Sequence, residues 1–410
     1  MTVLILSPFF YPEPISTGKY NTVLAQGLVA RGQEVVAFAS HPLYPKWQPA
    51  VSSATLPGMT IVRGGAWLRY PGSAVVRRLV LEGWYTVFAC MQYLRLHTKP
   101  SYVVPIFPPS LFFLVLSMMA GRSATVIGIV HDLQGVYAKR SSYTLGRLLQ
   151  AGIHWVESRC FARCHRLVFL SQSMAERAIQ EYGLDRARCV VCYPFAALPP
   201  EQSETRVALA NVLPEQLTQV VYSGALGDKQ NPDGLFAFMN TLGQRNPSLR
   251  CHVFSAGPHF ERLKASAGAL QGCAVTFHDL VPTEQVEELY ARSTIQIIPQ
   301  ADGTADGSLP SKLPNLLAAG VPIFAICEPK SELGYLVEKT HAGVVAESWE
   351  ALELDAQFDA LLATLATETR DQRKARQGAF VQTSFSVDAV MDAILHCGHK
   401  KRYSGQKNEV

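Results

Sequence analysis

A chain of 410 residues exceeds the size at which a single hydrophobic core stops growing, so two domains are expected. Hydrophobic residues at 48% and charged residues at 17% exclude general disorder, and nine cysteines without dense spacing exclude a secreted disulfide scaffold and suit a reducing cytosol. The net charge of +4 hides an asymmetry, +11 over residues 1–195 against −7 over 196–410, so the first part should prefer phospholipid headgroups, phosphorylated acceptors or nucleic acid.

The opening Met1-Thr-Val-Leu-Ile-Leu-Ser7 runs directly into a strand pattern without a positive n-region, which reads against a signal peptide. Short apolar runs then alternate with helix-period segments, the pattern of parallel sheets covered by helices on both faces. In the first half, strands are predicted at 3–7, 34–39, 60–63, 102–106, 124–130, 166–171 and 188–192. The helix after the first strand places Tyr20, Val23, Leu24, Gly27 and Leu28 on one face and ends at Gly32. Thr17 and Gly18 open it, either holding an acceptor phosphate or hydroxyl or simply capping the helix.

Residues 63–99 mix Arg63, Arg69, Arg77, Arg78, Arg95 and Lys99 with Trp67, Tyr70, Trp84, Tyr85 and Phe88. That combination suits docking on an anionic membrane surface, with a solvated, partly core-packed helix as the alternative. Residues 102–120 are apolar or proline apart from Ser110 and Ser117, but Pro105, Pro108 and Pro109 divide them into a buried strand and a buried helix rather than a membrane span. Val130-His-Asp-Leu-Gln-Gly135 puts His131 and Asp132 at the carboxyl end of an apolar strand, where open α/β sheets bind ligands; a pair that only caps the next helix is the alternative. Cys160, Cys164 and His165, and likewise Cys189 and Cys192, are not expected to bind zinc, since residues i and i+3 of a strand face opposite sides.

Three prolines within Tyr193-Pro-Phe-Ala-Ala-Leu-Pro-Pro-Glu-Gln-Ser-Glu204 predict a linker between domains at 1–195 and 205–384. Further strands are predicted at 219–223, 250–255, 274–278, 295–299, 322–326 and 343–346, then one long helix over 352–376, another over 387–396, and a mobile polar tail at 398–410. In Tyr222-Ser-Gly-Ala-Leu-Gly-Asp-Lys-Gln-Asn231, Gly224 and Gly227 allow close backbone approach, the following helix offers N–H groups and Lys229 adds charge, as a diphosphate cradle requires. In Ala305-Asp-Gly-Ser-Leu-Pro-Ser-Lys-Leu-Pro-Asn-Leu-Leu-Ala-Ala-Gly-Val-Pro322, Pro310 suits a first helical turn, so Ser311, Lys312 and the amides of Ser308 and Leu309 would face a phosphate.

Through Pro12-Glu-Pro-Ile-Ser-Thr-Gly-Lys-Tyr20, Ser223-Gly-Ala-Leu-Gly-Asp-Lys229 and Leu309-Pro-Ser-Lys-Leu-Pro-Asn-Leu-Leu-Ala-Ala-Gly-Val-Pro322, the chain resembles glycosyltransferase family 4, in the branch of colanic acid and O-antigen transferases of bacterial surface polysaccharides. The resemblance implies an α/β GT-B fold: two Rossmann-like domains facing a central cleft, the second holding a nucleotide-sugar donor and the first the acceptor, with a last helix at 385–397 crossing back to the first domain. It also implies retention of anomeric configuration, no metal or other cofactor, a GDP- or UDP-linked co-substrate and a lipid-linked saccharide acceptor. The protein would then be cytoplasmic and peripheral at the inner face of the plasma membrane, with no nucleic acid partner.

On that resemblance Gly224, Gly227, Lys229, Ser308, Leu309, Ser311, Lys312 and Asn315 bind the donor, and Thr17 and Gly18 the acceptor. Lys229 and Lys312 would stabilise charge growing on the β-phosphate oxygen as the anomeric C–O bond breaks, Asp132 would act as base or charge stabiliser, and His131 would orient the sugar. Where many family members carry two glutamates eight positions apart, this chain has Gly307 and Asn315, and a neutral amide can bond a ribose hydroxyl without acting as a carboxylate. A sugar-nucleotide epimerase of the same fold and a non-catalytic scaffold are the alternatives. A nicotinamide oxidoreductase is disfavoured because residues 7–18 lack Gly-x-Gly-x-x-Gly.

Overall fold

The computed structural model describes residues 1–44, 46–119, 124–133, 144–195, 208–304, 309–329 and 331–397. The chain divides into two compact units: the first comprises Met1–Leu170, Ala175–Cys192 and the segment from Val387 onward, the second Ser171–Met174 and Tyr193–Ser386. Ser308, most of the predicted linker and the 398–410 tail lie outside the described residues.

In the first unit, β1 (Thr2–Leu6), β2 (Glu34–Ser40), β3 (Met59–Gly64), β4 (Tyr102–Phe107), β5 (Thr125–Val130), β6 (Arg166–Phe169) and β7 (Cys189–Val191) form one parallel sheet in the order β3-β2-β1-β4-β5-β6-β7. A strand buried on both faces needs an unbroken apolar run, and Val3, Leu4, Ile5 and Leu6 are all fully buried. Helices α1 (Ser16–Ala30), α2 (Ala74–Leu94), α3 (Leu111–Met119), α4 (Thr144–Arg163) and α5 (Gln172–Tyr182) connect these strands. Residues 102–119 are thus a strand and a nine-residue helix, and among the described residues no helix is long and apolar enough to cross a membrane. The Glu82 carboxylate of α2 accepts from Ser110 N at 3.2 Å and Leu111 N at 2.9 Å, capping α3 from outside its own segment.

The second unit repeats the plan with β8 (Thr218–Ser223), β9 (Leu249–Ser255), β10 (Val275–Asp279), β11 (Ile295–Pro299), β12 (Ile323–Ile326) and β13 (Gly343–Ala346), parallel in the order β10-β9-β8-β11-β12-β13. Its helices are α6 (Pro232–Arg245), α7 (Pro258–Ala269), α8 (Val286–Arg292), α9 (Leu313–Ala318), α10 (Glu332–Lys339), α11 (Ala351–Leu365) and α12 (Arg370–Ser384). Two apolar clusters, one with Val221, Ile298 and Leu316 and one with Val220, Ile297 and Phe358, pack on opposite sides of this sheet. The single long helix predicted over 352–376 is therefore two. Thr369 accepts from Gln372 N and Gln372 Oε1 accepts from Thr369 N, a reciprocal cap that starts a new helix where the old one stops.

The last helix, α13 (Val387–Leu395), belongs to the first unit and packs on α1. Arg31 binds Asp388 and Asp392, each at 2.6 Å, and Gly27 admits Met391, whose Sδ would stand 2.7 Å from any added Cβ.

Candidate functional site

In the second unit the winding reverses between β8 and β11: β8 continues to β9 on one side and β11 to β12 on the other. Loops leaving two such strands diverge and open a crevice at the carboxyl ends, where open α/β sheets take ligands. Lys312 sits at that point. Its ammonium donates to Ile297 O of β11 at 2.8 Å and to Ser223 O, at the end of β8, at 3.2 Å, with Nζ 4.4 Å from the centre of the Tyr222 ring. Two carbonyls use two of the three ammonium donors, and the third has no hydrogen-bond acceptor among the described residues. Burial pushes the Lys312 pKa from 10.5 down to about 7, so an arriving anion would restore charge to a group already in place. The seam beneath is polar and satisfied: Ser223 Oγ donates to Gln296 Oε1 at 3.1 Å, and Gln296 Nε2 to Ser293 Oγ at 2.9 Å.

The loop after β8 is held by bonds to β9 and to the loop after β11 as well as by its own. Gly224 has φ of +128°, which L side chains rarely adopt, and its Cβ position faces open space. Its N–H donates to Phe254 O at 3.0 Å and its carbonyl accepts from Ser255 Oγ at 2.7 Å. Lys229 is exposed on a short 3-10 turn, Asp228–Gln230, and its carbonyl accepts from Ala301 N at 2.8 Å, which ties this loop to the one after β11. Two amides of this stretch are used inside it. Gly227 N donates to Gln230 Oε1 at 2.9 Å, and Asn231 caps α6 by accepting from Gly234 N at 3.2 Å.

A second correction concerns Pro310. The helix starts at Leu313, whose N–H donates to Pro310 O at 3.0 Å, and Pro314 occupies its first turn. Lys312 is thus the N-cap residue of this helix at the switch point. Leu309 is buried in the apolar cluster with Leu313 and Leu316, Ser311 is exposed in the turn before α9, and Asn315 is half-buried on α9.

The first unit reverses between β1 and β4. The loop after β1 is braced by Glu13, a buried carboxylate accepting from Leu43 N at 2.7 Å and Tyr44 N at 3.1 Å; burial raises its pKa and these two bonds oppose the rise. Gly18 packs against that brace: a Cβ would lie 2.8 Å from both Glu13 Cβ and Glu13 O. Thr17 is the second residue of α1, half-buried, and not its cap, because Ile15 holds that position without a side-chain bond. His131 follows β5, its N–H donating to Phe107 O at 2.8 Å and its ring meeting Tyr20 edge-on at 4.8 Å. Burial lowers the His131 pKa to about 4, so the imidazole is neutral at pH 7, and its Nε2 has no hydrogen-bond partner among the described residues. Asp132 Oδ1 accepts from Leu133 N at 3.0 Å.

Glu13, Tyr20, Tyr222 and Gln230 take structural parts around these switch points that local sequence reasoning missed. Glu13, Tyr20 and Tyr222 each contact a residue from another turn or strand, whereas Gln230 bonds Gly227 of its own turn.

Residues 17–198 match the family described as Glycosyltransferase Family 4, and residues 207–377 match Glycosyl transferases group 1. The putative colanic acid biosynthesis glycosyl transferase WcaI of Escherichia coli K12 is 25% identical over 413 aligned residues, covering 90% of this chain and 95% of the relative. Sucrose-phosphate synthase from Thermosynechococcus elongatus superposes with a TM-score of 0.72 at 16% identity, over 95% of this chain and 96% of that one. WaaG, a glycosyltransferase involved in lipopolysaccharide biosynthesis, does so with a TM-score of 0.69 at 13% identity, over 96% and 99%. With a family match in each half and two parallel Rossmann-like units, the chain belongs to glycosyltransferase family 4, its second half being of the group 1 type, and has the GT-B fold.

Proposed function

We propose that this glycosyltransferase moves a sugar from a nucleoside diphosphate sugar to a lipid-linked glycan during synthesis of a bacterial surface polysaccharide, with retention of configuration and without a metal ion. The observation that carries the reading is the Lys312 ammonium, fixed on Ser223 O and Ile297 O at the β8–β11 reversal, with its third donor unused among the described residues. Breaking the anomeric C–O bond loads negative charge onto the β-phosphate oxygen. A cation already in place stabilises that state more than the intact donor, with no reorganisation at the moment of reaction. Lys229, exposed on the neighbouring loop, adds a second, more screened charge.

In the first unit the neutral His131 imidazole, with Nε2 unpartnered among the described residues, orients a sugar hydroxyl, and Asp132 accepts a proton or balances charge. Thr17, Gly18 and the amino end of α1, which has no side-chain cap and no acidic residue in its first turn, receive the acceptor. The biosynthetic setting is carried over from the WcaI relative.

The test is consumption of GDP- and UDP-sugars with and without a lipid-linked acceptor extract, reading nucleoside diphosphate release and the anomeric configuration of the product. Lys312→Met is expected to slow turnover roughly a hundredfold, about 3 kcal/mol of transition-state stabilisation. Nucleotide release at the wild-type rate in Lys312→Met, or conversion of the donor sugar without acceptor, would refute the assignment.

A further inference from the structure

Helix α2 carries an outward stripe that no other element covers among the described residues. Val76, Leu79, Val87, Met91 and Leu94 are all exposed, Val87 by 58% and Leu94 by 67%, and with Gly83 they recur at spacings of three and four residues. That spacing aligns them on one face of an α-helix for about 27 Å. A helix packed into its own unit ordinarily keeps its large apolar residues inward, as α2 does with Leu81, Tyr85 and Phe88 on the other side. Two apolar faces on one helix call for a second apolar medium.

Charge identifies the medium. Over residues 63–99 there are six Lys or Arg and one acid, Glu82. The Glu82 carboxylate is engaged in capping α3 at Ser110 N and Leu111 N. Arg69 lies exposed before the stripe, and Arg95 and Lys99 lie exposed after it. Trp67, 76% exposed, precedes α2 in the chain, an aromatic of the kind that settles at the level of lipid headgroups. An apolar stripe bounded at both ends by cations fits a surface that is oily within and anionic at its rim. A second copy of the same face would instead set like charges against each other.

We propose that α2 lies in the plane of an anionic lipid bilayer, its Val76–Leu79–Val87–Met91–Leu94 stripe among the upper acyl chains and Arg69, Arg95 and Lys99 on the headgroup phosphates. This deepens the reading that the acceptor is lipid-linked, and it fails or stands separately from donor chemistry in the second unit.

The experiment is co-sedimentation of the full chain with vesicles of phosphatidylethanolamine and phosphatidylglycerol, compared with phosphatidylcholine alone, on samples whose nucleotide binding is measured in parallel. Wild type is expected to pellet with the anionic vesicles, and each of Leu79→Glu and Val87→Glu to reduce partitioning at least tenfold while circular dichroism and nucleotide binding stay unchanged. Arg95→Ser with Lys99→Ser is expected to reduce it about fivefold per charge removed and to weaken its salt dependence. Three results would overturn the proposal: wild type staying in the supernatant, glutamate variants pelleting like wild type, or a wild-type dimer that Val87→Glu dissociates, which would give the stripe to a second copy. Loss of nucleotide binding with intact vesicle binding would instead count against the donor assignment.

Discussion

Donor affinity should fall as pH rises through the Lys312 pKa. The free protein holds this ammonium near a pKa of about 7, against an ordinary 10.5, because burial removes its hydration. A pyrophosphate at the β8–β11 reversal would raise that value in the complex, so the ligand prefers the protonated protein. Affinity is then full below about pH 7 and is lost at up to tenfold per pH unit above it, until the pKa of the complex is reached. Between about pH 7 and about pH 9 the protonated fraction falls from one half to one in a hundred, a loss of roughly fiftyfold in affinity. The assay is titration calorimetry with a nucleotide sugar in two buffers of different ionisation enthalpy. Uptake should rise from about half a proton per site near pH 7 toward one near pH 9. Lys312→Met should abolish both uptake and slope. Flat affinity in the wild type, or a slope that survives in Lys312→Met, would refute the reasoning.

Acid should destabilise the second unit through His252, which is 5% exposed and bonded to Gln219 Oε1 and His278 Nε2, each at 3.0 Å. Its folded pKa of about 4 lies below the ordinary 6.5, so the unfolded chain binds more protons between those values. Stability should therefore drop as pH falls from about 6.5 to about 4, by up to about 3 kcal/mol, and urea midpoints in that range should be less acid-sensitive in His252→Gln. Gly18→Ala drives a Cβ to 2.8 Å from Glu13 O and should cost about 1–3 kcal/mol, read as a lower thermal midpoint, before any acceptor is added. Lys229→Ala, at an exposed position, should lower kcat/KM for the donor by about tenfold, and the deficit should shrink as salt is raised.

Parallel strands covered on both faces write themselves as continuous apolar runs, as in β1 and β11, and the thirteen strands among the described residues were legible to within a residue or two. Helix ends were less so. Thr369 and Gln372 spell a capping box inside the stretch predicted as one helix over 352–376, and that box marks where the second helix starts. At Pro310 the rule that proline favours a first turn held, but for Pro314, four residues later. The motif around Lys312 marked it as a candidate anion contact, whereas its two carbonyl acceptors were not legible: Ser223 is 89 residues away and meets Lys312 only because β8 and β11 are neighbours. The same holds for the buried Glu13 with Leu43 and for the half-buried Glu82 with Leu111, where a carboxylate serves amides about thirty residues onward. Spacing in sequence carries no trace of such pairs, because it is the sheet order that brings them together.

The most direct measurement is to place the donor pyrophosphate in a solved complex with a nucleotide sugar, or by lysine-selective NMR of the same complex. Phosphate oxygens within hydrogen-bond reach of Lys312 Nζ, with its bonds to Ser223 O and Ile297 O retained, are the result the account predicts. A pyrophosphate bound elsewhere, leaving the Lys312 resonance unshifted, would contradict it.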